Sequence, residues 1–161
     1  MSTVFETFLS ALASSRDHEG ILGEEIVVFP PTPDFGYWAT PKNGLTFGAM
    51  GVDGVHYVIL TEAGRATDAM PVIYVSPMDF SEPYAVYAET FRKFLALACG
   101  VSVTEIDRIV TNERRDGYAL IPFLRANFRL RGEGRVALLD SKRQARLADQ
   151  LERIERKPNE T

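Results

Sequence analysis

Between Leu45 and Pro77 the chain carries three apolar, β-branched runs: Leu45–Met50, Val55–Leu60 and Pro71–Pro77. Their links are too short to hold a crossover helix. Parallel neighbours need a dozen or more linking residues, so these runs pair as an antiparallel meander. "GVDG" (Gly51–Gly54) reads as a hairpin turn, because glycine supplies positive φ without steric cost. "TEAGRATDAM" reads as a second turn with Gly64 at its tip.

Helical signals flank this block. Thr3-x-x-Glu6 is a capping box, followed by Phe5, Phe8, Leu9 and Leu12 on one stripe. Gly20 and Gly23 end that helix. Ile26–Phe29 is a strand, and Pro30, Pro31 and Pro33 stop it, because proline lacks an amide donor. Residues 30–44 form an extended loop. Its aromatics Phe35, Tyr37 and Trp38 are too many for a solvated linker, so they pack over the core or line a cleft.

After the third run, Phe91, Phe94, Leu95 and Ala98 repeat at helical spacing, with Gly100 as the stop. Ser102-x-x-Glu105 opens a short helix burying Val103, Ile106 and Ile109. A further helix is predicted around Leu120, Phe123 and Leu124. "RGEGR" is a joint, and a charged terminal helix carries Leu147, Leu151 and Ile154. Strands grouped before helices argue for α+β: a mostly antiparallel sheet of about four strands flanked by helices. Length is that of one domain, 1–157, with 158–161 a frayed tail.

Composition excludes several classes. One cysteine, Cys99, allows no intrachain disulfide. No run of about 18 apolar residues could span a bilayer. The first twenty residues lack the early positive charge of a signal peptide, and Glu6 interrupts their apolar stretch. The expectation is a cytoplasmic chain. Residues 1–82 hold 11 acids and 3 bases, a net charge of −8; residues 83–161 hold 11 and 15, a net charge of +4. Such halves can attract each other within one fold, or an acidic face can meet a basic partner, and neither half is basic enough to make nucleic acid the default partner. Arg125, Arg129, Arg131 and Arg135 alternate with Phe123 and Phe128, which reads as a solvated helix face with aromatics turned inward.

No chemistry-bearing motif survives inspection. "GAMGVDG" resembles a phosphate loop in glycine spacing, but a strand follows it instead of a helix, and no Gly-Lys-Ser/Thr occurs. His18 and His56 lie in unrelated contexts, without metal-ligand spacing. Cys99 ends an apolar helix and reads as a small core residue, not as a thiolate paired with His56. Asp53, Asp79 and Glu82 sit at strand ends, where carboxylates close turns. No catalytic residue, metal or cofactor is expected.

Three segments, "GVDGVHYVILTEAG", "PVIYVSPMDF" and "ETFRKFLALACG", resemble bacterial members of the SUKH superfamily, the Smi/Knr-like domains. The matching residues are Gly51, Asp53, Gly54, Val55, His56 and Tyr57, then Pro71–Phe80, then Phe91, Phe94, Leu95, Leu97 and Cys99. Val52 stands where that pattern has a second glycine. The resemblance implies an α+β binding domain, and many such members are immunity proteins that occlude polymorphic toxins, often nucleases. The expectation is therefore a non-enzymatic module bound to a toxin domain, with Asp34, Phe35, Tyr37, Trp38, Asp53, His56 and Asp79 at the contact. Two other readings stand beside it. One is a small-molecule or peptide binder with a cleft under loop 35–38. The other is a small hydrolase using His56.

Overall fold

Antiparallel pairing runs unbroken through six strands in chain order, β1 Gly20–Leu22, β2 Ile26–Thr32, β3 Gly44–Ala49, β4 His56–Leu60, β5 Val72–Val75 and β6 Tyr84–Ala88. The structure, a computed structural model, describes residues 4–14, 20–22, 26–33, 35–51, 53–116 and 137–157. Its helices are α1 Val4–Ser14, α2 Phe91–Cys99, α3 Val103–Asp116, α4 Ser141–Arg146 and α5 Ala148–Glu152. This is an α+β domain built on an antiparallel meander.

The meander is longer at both ends than the sequence suggests. β1 is only three residues long, and β6, "YAVYA", lies between a polar turn and the N-cap of α2. β2 also runs through Pro30 and Pro31 instead of stopping at Phe29. The prolines fall where the β2–β3 register shifts between Val28 and Thr32. A bulge leaves ladder positions unpaired, so a missing amide does little harm there.

The β3–β4 hairpin forms as expected, with Ala49 opposite His56. Asp53 and Gly54 both adopt positive φ, 53° and 72°. The second turn closes through the Glu62–Arg65 bridge, with Ala63 and Gly64 also left-handed.

Period-two alternation divides β4 between the two faces of the sheet. Tyr57 turns toward α2 and packs on Phe94 and Tyr87. There it joins an aromatic core: Phe5 and Phe8 from α1, Phe47 from β3, Phe91 and Phe94 from α2, with ring centroids 4.9–6.3 Å apart. Ile106, Ile109 and Val110 of α3 complete that side. His56 turns to the opposite face, beneath loop 35–43.

Helix ends follow local chemistry in two cases and distant chemistry in one. Thr90 accepts the Lys93 amide, and left-handed Gly100 (φ 67°) closes α2. The Ser102 hydroxyl accepts the Glu105 amide at the start of α3. At α1 the Val4 and Phe5 amides donate to the carboxylate of Asp68, 2.9 and 2.8 Å away, from the β4–β5 link. Thr3, the expected cap, lies outside the described residues. The Asp68 backbone carbonyl also takes the Phe91 amide, and Arg92 bridges Asp68 and Asp107. One residue thus ties the starts of α1 and α2 together.

The terminal helix is divided in two at Leu147, whose ψ of 8° breaks the ladder. Neither half buries a residue of its own; Leu147 at the break does, at 8% exposure. The helix predicted at 120–124, the arginine–phenylalanine stretch, the 158–161 tail and the Asp17–His18–Glu19 loop lie outside the described residues.

Asp68→Ala removes both acceptors from α1. A cap of this kind contributes about 1–2 kcal/mol. The urea midpoint should fall accordingly, and amide exchange at Val4 and Phe5 should rise toward that of an open helix end. Asp68→Asn should fall between the two.

Candidate functional site

Loop 35–43 leaves β2, crosses the sheet face and returns to β3. The residue that anchors it is His56. The ring is fully buried, and each nitrogen has a partner. Nδ1 lies 2.7 Å from the Gly54 carbonyl, which can only accept, so Nδ1 carries the proton. Nε2 then accepts from the Thr40 hydroxyl at 3.0 Å. Thr40 is itself buried, and its amide donates to the Tyr37 carbonyl. One side chain therefore joins the hairpin turn to the loop.

Aromatic rings close over this clip. Phe35 lies 5.0 Å from the His56 ring and stacks on Phe29 at 5.6 Å. Tyr37 lies on the imidazole at 5.5 Å and 25°. A Cβ on Gly54 would sit 2.6 Å from the Tyr37 ring, so glycine is needed there for space as well as for φ. Beneath residues 35–38, where a cleft was expected, Phe35 and Tyr37 pack on each other and on His56.

The C-terminal segment braces the same loop. The Lys42 amide donates to Glu155, Asn43 pairs with Arg153 and Glu155, and Lys157 donates to the Tyr37 carbonyl.

Trp38 faces outward. Its indole N–H donates to the Pro77 carbonyl at 3.0 Å. Its ring stacks on Phe80, centroids 5.7 Å apart and planes within 13°. Trp38 is 47% exposed, Phe80 75% and neighbouring Met78 62%. Asp79 lies between Met78 and Phe80 in the chain. Its carboxylate accepts from the Ser81 hydroxyl and the Glu82 amide, both at 3.0 Å. Those hydrogen bonds hold it below the usual carboxylate range.

Beyond this turn, an open groove of about 1050 Å³ runs between β5, β6 and the α4–α5 segment. Tyr74, Ser76, Tyr84, Leu138, Gln144 and Arg156 are among its walls. The Arg156 guanidinium lies over the Tyr84 ring.

The residues singled out from sequence thus separate into two groups. Phe35, Tyr37 and His56 stack together, with His56 buried, Phe35 half-buried and Tyr37 39% exposed. Trp38 stacks on Phe80, the residue after Asp79, to form an outward ridge. Asp53 is exposed on the turn beside Gly54, and Asp34 lies outside the described residues. Sequence reasoning missed Phe80, Met78 and Thr40. An apolar pair set among acids and proline in "SPMDFSEP" was the available signal for the first two; Thr40 had none.

The chemistry open to these groups is limited. His56 presents no ring nitrogen to solvent, and neither of its partners is a carboxylate. Burial pushes the Cys99 thiol up to about 12, so it is not a thiolate at neutral pH. Among the described residues no cluster of three metal-ligating side chains occurs, and no helix is long and apolar enough to cross a membrane.

Burial, more than any other cause, depresses the His56 pKa; the Gly54 hydrogen bond opposes the shift and the Lys157 charge adds to it. In the unfolded chain the imidazole titrates near 6.5. Below that value the unfolded state takes a proton that the folded state refuses. Stability from this site is complete above pH 6.5 and is lost as pH falls through the lowered folded value. In urea titrations at pH 7.5 and 5.5, His56→Gln should unfold at lower urea than the native chain at pH 7.5. It should also show a smaller drop between the two pH values.

No family model matches the chain, and neither curated proteins nor solved structures provide a match.

Proposed function

We propose that the chain is a non-enzymatic protein-binding module of the immunity type, which docks a toxin partner on the Trp38–Phe80 ridge and neutralises it by occlusion. The observation that carries the reading is the stacked, exposed ring pair. Large aromatic side chains left in water are costly, and tryptophan is enriched at the energetic centres of interfaces. Trp38 is held at its indole nitrogen and by the stack, so little side-chain freedom remains to be lost on binding. The buried His56 and Cys99 give a hydrolase no exposed nucleophile or base at these positions. Occlusion as the mode of action follows from the resemblance to SUKH domains.

Immobilised protein is incubated with lysate of the native host, and retained species are quantified. A partner held by the native chain and by Lys93→Ala should drop about 30-fold with Trp38→Ala, the loss expected for an interface centre of about 2 kcal/mol. That partner expressed alone should arrest growth, and the native chain, unlike Trp38→Ala, should restore it. Equal retention by folded Trp38→Ala and Phe80→Ala would sink the docking site. A captured partner without toxicity would sink the immunity role.

A further inference from the structure

We propose that the docked partner presents a basic segment, with a lysine or arginine side chain taken between the Trp38–Phe80 ridge and the carboxylates of Asp79 and Glu82. This rests on the protein-binding reading above and adds the partner's chemistry to it.

Three features point to a cation. The face of an aromatic ring is the negative end of its quadrupole, and tryptophan binds cations best. The stack covers one face of each ring while both side chains stay exposed, and the indole N–H is already engaged with Pro77. The next group along is an anion. The Asp79 carboxylate is exposed and is oriented by Ser81 and the Glu82 amide.

The third feature is a missing counter-charge. Among the described residues no lysine or arginine lies within ion-pair distance of Asp79 or Glu82, although every ion pair formed elsewhere on α2 and α3 uses one. Of the C-terminal cations, Lys157 donates to the Tyr37 carbonyl, and Arg156, which shares the groove wall with Asp79 and Glu82, lies over the Tyr84 ring. Anionic or neutral apolar segments would meet the rings but not the carboxylates.

The turn that carries both halves of this surface is closed on itself. The Ser76 amide donates to Pro83, and the Asp79 amide to Ser76. Ring and carboxylate are therefore fixed relative to each other before a partner arrives, which is the condition for a charge-assisted contact to add affinity.

Trp38 is the sole tryptophan, so its fluorescence reports on the ridge directly. The probe is a capped nonapeptide alternating glycine and arginine, titrated into the full-length protein at low and at physiological salt. The same peptide with citrulline, an uncharged isostere, is the control. Expected are a saturable change in emission with the arginine peptide, weakening as salt rises, and at least tenfold weaker binding of the citrulline peptide. Asp79→Asn with Glu82→Gln should weaken the arginine peptide at least fivefold. Glu152→Gln on α5 should leave it unchanged. Both Asp79 and Glu82 are exposed, and single Glu82→Gln, whose side chain makes no hydrogen bond to a described residue, serves if the double variant misfolds. Equal affinity for the two peptides, or no loss in the charge-neutral variants, would overturn the proposal. The two readings separate cleanly with the captured partner. If Trp38→Ala releases it and the Asp79→Asn, Glu82→Gln protein still holds it as tightly as the native chain, the ridge stands and the cation does not.

Discussion

Loop 35–43 is held to the sheet chiefly by one buried imidazole. His56 donates to the turn before its own strand and accepts from Thr40, halfway along the loop. The bond from Thr40 requires a neutral ring, whereas Nδ1 would donate to Gly54 in either protonation state. A buried unpaired nitrogen would cost about 1–3 kcal/mol. From that clip the remaining placements follow. Tyr37 can lie flat on the imidazole because Gly54 has no side chain, and the Tyr37 carbonyl then receives Lys157. Trp38, one residue on, is carried out to the Pro77 carbonyl. The outward ridge depends on a stack over a histidine that would have been read as catalytic had its nitrogens been free.

A six-strand meander has two unpaired edges, and the chain closes β6 with side chains. Gln144 of α4 both accepts the Val86 amide and donates to the Val86 carbonyl, as a neighbouring strand would. Arg143 adds bonds to the Val86 and Tyr87 carbonyls. This explains why α4 and α5 hold their place while burying so little: their role at the sheet is polar. A covered edge cannot template pairing with another chain.

Sequence patterning made the inner architecture legible wherever the signal was local. Asp53-Gly54 gave the hairpin because both residues must tolerate positive φ, and Phe91, Phe94 and Leu95 gave α2 because its buried stripe has helical spacing. One local rule misled, and one local signal was too weak. Pro30 and Pro31 looked like a strand end, but a bulge absorbs them. "YAVYA" was not singled out as a strand, since five residues between a turn and an N-cap show too little alternation to stand out. What was not legible at all was non-local. Nothing in the neighbourhood of Val4 points to Asp68, and nothing near Trp38 points to Phe80. The candidate list from sequence named residues of loop 35–43 and His56 but could not divide them into buried and exposed ones.

That division bears on what kind of recognition the fold favours. One sheet face is consumed by α1, α2 and α3. The other is crossed by a loop whose rings Phe35 and Tyr37 pack on the imidazole beneath it. Ridges bind surfaces, and their affinity rests on how little must be ordered at contact. Trp38 is fixed by a hydrogen bond, a stack and the imidazole clip behind it, and the turn bearing Asp79 and Phe80 is closed by its own backbone. The same neutral histidine that stabilises the interior at physiological pH therefore keeps the exposed rings in register with their carboxylate.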